Sequence, residues 1–121
     1  MTENLKLSVV RRDGIAVIYT EGYINNQGGE EIARSAYDLM GEGYRSILLN
    51  LAGTKIVNSI GISILIEIIE KMLESGGKLG FSNLTPTIEK TFHIMGLAQY
   101  AGIFKDEDAG LAGMASASPT E

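Results

Sequence analysis

The chain has 121 residues, 45% of them apolar and 21% charged, with ten basic side chains against fifteen acidic ones and a formal net charge of −5. This is the composition of one globular domain. An acidic balance without a basic patch argues against nucleic acid, and the absence of cysteine together with a single histidine, His93, removes thiol catalysis, disulfides, zinc–thiolate sites and His-based metal clusters.

The first element is a strand, because apolar and polar residues alternate along Leu5-Lys6-Leu7-Ser8-Val9. Asp13-Gly14 supplies a hairpin turn, and Ile15 to Tyr19 is the returning strand. Gly22 to Gly29 reads as a loop rich in Gly and Asn. A helix follows over Glu30–Met40, with Ile32, Ala33, Ala36, Leu39 and Met40 on one face and Gly41 and Gly43 after it. Ser46 to Leu51 is almost continuously apolar, as a strand covered on both faces requires. Ala52 to Val57 reads as a loop.

A long helix runs from Ser59 to Ser75, with Asn58 or Ser59 as its N-cap. Ile62, Leu65, Ile66, Ile69, Met72 and Leu73 face inward, and Gly76-Gly77 closes it. Lys78 to Ser82 is another strand. Thr85-Pro86 opens a third helix, with Thr as cap and Pro at its first position, whose buried face carries Ile88, Phe92 and Met95. Ile103-Phe104 is an edge strand or packs a last turn, and Asp106 to Met114 a short, weak helix.

This order predicts an α/β fold, a mixed β-sheet with an antiparallel N-terminal hairpin and a mostly parallel remainder, packed with three to four α-helices. No internal repeat divides the chain. Residues 1–114 form a single domain and 115–121 a disordered C-terminal tail. The opening MTENLKL carries no signal-peptide pattern, and the stretch from Ile56 to Ile69 is too short and too polar to cross a bilayer core of about 30 Å, so the expectation is cytoplasmic, without membrane insertion.

Enzyme signatures are missing. Gly53-Thr54-Lys55 is a fragment of a phosphate loop, no G-x-G-x-x-G or G-x-S-x-G is present, and Asp106-Glu107-Asp108 reads as a solvated helix start. No catalytic residue, cofactor or metal is assigned. The informative segment is Thr54 to Ser63, where Asn58, Ser59 and Gly61 stand among isoleucines between a buried strand and a long helix, the place where open α/β sheets carry functional loops. Capping alone accounts for Asn58 and Ser59; backbone N–H groups at such a helix start also suit an anion or a phosphoserine.

Asn58-Ser59-Ile60-Gly61-Ile62-Ser63 resembles the signature Asp-Ser-[Ser/Thr/Ala]-Gly-[Leu/Ile]-[Gly/Ala] of the STAS family, and within it the small bacterial anti-sigma-factor antagonists. Gly22-Tyr23-Ile24-Asn25 is similar to the family's Gly-x-Leu-Asp, Leu48-Leu49-Asn50-Leu51 to its third strand, and Ile88 to Leu97 followed by Ile103-Phe104 to its last helix and the segment after it. The resemblance covers about residues 5 to 110. It implies partner switching, in which the antagonist binds an anti-sigma factor that is a serine kinase and so frees a sigma factor. Phosphorylation of a hydroxyl just before the motif glycine breaks that complex, and a serine phosphatase restores it. The implied working surface is the Gly22–Asn26 loop with Tyr23, Asn25 and Asn26, the loop from Thr54 to Ile60, and the first turns of the long helix from Asn58 and Ser59 through Gly61 to Ser63. Ile60 and Ile62 supply apolar contact there.

The chain departs from the family at that point. Ile60 stands where the phosphorylated hydroxyl is usual, and Asn25 and Asn58 replace acidic residues. Ser59 is the candidate phosphoacceptor, one residue and about 100° around the helix from the usual place. The alternative implied by the family is a non-phosphorylated accessory or scaffold subunit of a transport or stress-signalling complex.

Overall fold

The computed structural model describes residues 5–12 and 14–116. Among them the chain order is β1 (Lys6–Arg12), β2 (Ile15–Ile24), α1 (Asn26–Gly41), β3 (Ser46–Val57), α2 (Ser59–Glu74), β4 (Lys78–Ser82), α3 (Pro86–Ile94), a 3-10 turn (Leu97–Gln99), β5 (Gly102–Phe104) and α4 (Glu107–Ser116). The strands form one sheet in the order β1-β2-β3-β4-β5, antiparallel for the first pair and parallel for the rest. This is the mixed sheet that the sequence predicts. Gly14 turns the hairpin at φ +86°; its predicted partner Asp13 lies outside the described residues.

Alternation along the strands builds two cores. Ala16, Ile18, Ile47, Leu49, Leu79 and Phe81 point to one face, where they meet Ile32, Ala36 and Leu39 of α1, Leu65, Ile68 and Met72 of α2, and Phe92 of α3. The ring of Phe92 meets that of Phe81 edge-on, with centroids 5.0 Å apart. Ile15, Val17 and Leu48 point to the other face, where α4 covers them with Met114 and Leu111. The apolar run at residues 47 to 51 follows from this double coverage, since each face needs its own alternate residues. Fully burying one such Leu, Ile or Phe contributes about 1.5–3 kcal/mol.

Four boundaries differ from expectation. β2 continues to Ile24 and β3 to Val57, so both predicted loops are largely strand. The register advances from Tyr19↔Asn50 to Glu21↔Gly53 to Tyr23↔Ile56, two residues of β2 facing three of β3 at each step. These bulges give Leu51, Thr54 and Val57 an inward period of three, which hides the strand from a search for alternation. α1 begins at Asn26, not Glu30, because Gly28 and Gly29 pack in its first turn. Leu73 is 46% exposed while Ile68 takes the buried place, and Met95, 51% exposed, caps α3 instead of lining its core. α4 runs to Ser116, two residues into the predicted tail, and residues 117–121 lie outside the described residues.

Candidate functional site

β2 and β3 end side by side, Ile24 opposite Val57, and each feeds a helix after a single residue. That residue is an asparagine both times. The Asn25 side-chain oxygen accepts from the Gly28 N–H at 2.9 Å, and the Asn58 oxygen accepts from the Gly61 N–H at 2.8 Å. Asn25-Asn26-Gln27-Gly28 and Asn58-Ser59-Ile60-Gly61 are thus the same Asn-x-x-Gly cap, written twice. The N-cap of the long helix is Asn58, leaving Ser59 at its first turn.

The glycines are there for space. A Cβ at Gly28 meets the Tyr23 carbonyl oxygen at 2.7 Å, and one at Gly61 runs into the carbonyl oxygen of Ile24. Ile24 also accepts a hydrogen bond from the Asn58 N–H at 3.1 Å, which ties the end of β2 to the start of α2. Neither helix has an acidic residue in its first turn. Two helix N-termini therefore lie together, capped by neutral amides that leave their positive ends uncompensated.

The predicted site residues divide into a surface and its support. Asn26, Ser59, Ile60 and Ser63 are exposed, and Tyr23 is half-buried opposite Ile56. Ile60 is 53% exposed, and Ile56, which falls within the expected Thr54–Ile60 loop without being singled out there, is 57% exposed. Shallow depressions of about 180 and 260 Å³ flank Ile56 and Lys55, one floored by Gly22, Tyr23 and Gly53, the other by Val57 and Thr87. Thr54 and Ile62 do not present contact area as expected. Thr54 is fully buried with its hydroxyl 2.6 Å from that of Thr20, and Ile62 is 5% exposed in the core, because the three-residue period of β3 and the helical period of α2 turn them inward. Gly61 is buried as well. These three position the surface without forming it. The Ser63 hydroxyl donates to the Ser59 carbonyl at 3.1 Å.

A second polar cluster escaped the sequence. Glu107 is no solvated helix start: it accepts from the Tyr19 hydroxyl at 2.9 Å and from the Asn50 side-chain amide at 3.0 Å, with Arg12 3.6 Å away. The Asn50 oxygen accepts from the Ala52 N–H at 2.9 Å. Only the separation of 88 and 57 positions concealed it. Asp106 caps α4 through the Ala109 N–H at 2.8 Å. His93 is exposed on α3, 3.8 Å from Glu89. Among the described residues no group of three or more His, Cys, Asp or Glu side chains is placed to hold a metal ion, and no helix is long and apolar enough to cross a membrane.

A hairpin followed by parallel strands, with two capped helices starting together beside the sheet, is the layout of a STAS domain. The STAS domain family matches residues 6–110, and the chain belongs to that family. Among solved structures it is similar to an anti-sigma factor antagonist from Mycobacterium paratuberculosis, with 19% identity over 91% of this chain and 93% of the other and a TM-score of 0.80. It is similar to a serine-to-glutamate variant of RsbS from Moorella thermoacetica, at 16% identity, 93% and 97% coverage and a TM-score of 0.78. It is also similar to the Bacillus cell fate determinant SpoIIAA in its phosphorylated form, at 22% identity, 87% and 95% coverage and a TM-score of 0.65. A search of curated protein sequences gives no match.

Proposed function

We propose that this chain is a partner-binding regulator of the anti-sigma-factor-antagonist type, acting in the cytoplasm by contact and not by catalysis. The observation that carries the reading is the pairing of two capped helix starts with Ile56 and Ile60 exposed beside them. Two large apolar side chains next to polar caps and shallow depressions form the apolar centre and polar rim of a protein interface. A standard interface of about 800 Å² per partner covers the whole patch. Its partner is an anti-sigma factor of the serine-kinase kind. The similar solved structures, one phosphorylated and one with glutamate in place of serine, belong to proteins of the same fold.

The test is Ile60→Asp. A carboxylate in the centre of an apolar contact abolishes binding to the cognate anti-sigma factor in titration calorimetry, while circular dichroism is unchanged because Ile60 is exposed and belongs to neither core. Unchanged affinity refutes the reading. Ile60 has no hydroxyl to phosphorylate, which favours a second reading, constitutive scaffolding within a larger complex. Incubation with the kinase and ATP followed by intact mass tests for the switch: phosphate mapped to the exposed Ser59 establishes it, and its repeated absence establishes a non-phosphorylated variant.

A further inference from the structure

The opposite end of α2 carries a different surface. Between the C-terminal half of α2 and the segment from Met95 to Tyr100 lies a groove of about 750 Å³. Ile66 and the buried Leu97 form its floor, and Leu73, Met95 and Tyr100 form its walls, 46%, 51% and 62% exposed. Three large apolar side chains standing open around one groove are unusual on a surface that meets only water. The charged residues along it are Glu70 and Glu74, with no Lys or Arg among the lining residues.

We propose that this groove docks a basic amphipathic helix of another protein. Apolar walls take the hydrophobic stripe of such a helix, and Glu70 and Glu74 meet its flanking Lys or Arg side chains. A second copy of this chain docked groove to groove fits poorly, because the charged residues lining both grooves are carboxylates only. The chain's own ends, residues 1–4 and 117–121, contain no Lys or Arg. Ser59 and Glu74 are about 22 Å apart along the helix axis, so this surface is separate from the one at the helix start and does not depend on its reading.

The probe is a fluorescently labelled amphipathic Leu/Lys peptide about four helical turns long, titrated with the full chain and followed by anisotropy. Binding is expected, with amide NMR shifts on the C-terminal half of α2 and on residues 95–100. E70K/E74K or L73D weakens it by about tenfold or more, whereas D38K/D108K, the same charge change at two other exposed sites, weakens it less than about twofold. Circular dichroism verifies that each variant is folded. Equal binding of a Leu/Glu peptide, equal loss in D38K/D108K, or shifts elsewhere overturns the proposal. So does sedimentation showing a dimer that L73D abolishes, or preferential binding of neutral phosphatidylcholine vesicles.

Discussion

Asn50 uses both ends of its amide, donating to Glu107 and accepting from the Ala52 N–H. An aspartate at this position has no N–H to give. Asn50→Asp therefore sets two carboxylates about 3 Å apart at a site that is 8% exposed. The expected loss is about 1–3 kcal/mol at neutral pH, measured by urea unfolding. The deficit shrinks as pH is lowered through the carboxylate range, because a proton shared between the two oxygens restores a donor. The same logic made the helix caps legible from sequence: Asn58 and Thr85 sit directly before apolar-periodic runs and cap through local hydrogen bonds. Asn25 was not legible as a cap, because two glycines in the first turn of α1 disguise a helix as a loop.

At the scale of elements, α4 is the short, weak helix the sequence predicts, and what the sequence hides is how it packs. It presents small residues to the sheet, so close that a Cβ at Gly110 meets Leu48 at 2.8 Å, and it carries little amphipathic signal of its own. Its anchor is Glu107. Burial and then the Glu107 hydrogen bond hold the Tyr19 phenol above its ordinary value of 10.0. A raised phenol pKa means that the folded state keeps a proton the unfolded chain has lost. This contribution is present below pH 10 and is lost as pH rises through the folded value. Tyr19→Phe is expected to cost about 1 kcal/mol at neutral pH and to flatten the decline in denaturation stability as pH rises above 10. Part of that decline remains, because burial and then Glu67 raise the Tyr37 phenol as well.

At the scale of the whole molecule, the succession of strands and helices along the chain followed from periodicity, and the coverage of β3 on both faces was readable from the run at residues 47 to 51. What was not readable depended on distant partners: the contact of Glu107 with Tyr19, the burial of Thr54 against Thr20, and the exposure of Leu73 over the groove. The second face rests on one short helix, so removal of residues 107–116 uncovers Ile15, Val17 and Leu48 together. The truncated chain is expected to bind more of a hydrophobic dye than the full chain and to self-associate further in sedimentation at the same concentration. A truncated chain that gains neither dye binding nor association over the full chain assigns α4 no part in closing the core.

The bulges between β2 and β3 have one more consequence. β2 takes 10 residues and β3 takes 12 to reach the same level, and the surplus is absorbed where two residues face three. Pairing across the strands, rather than chain length from the sheet centre, levels the two asparagine caps. The stretch from Ala52 to Ile56 works like slack in a belt. Residues gained or lost there change the bulge before they change the height of α2, so the chain can vary in length beside its working surface and keep that surface in place.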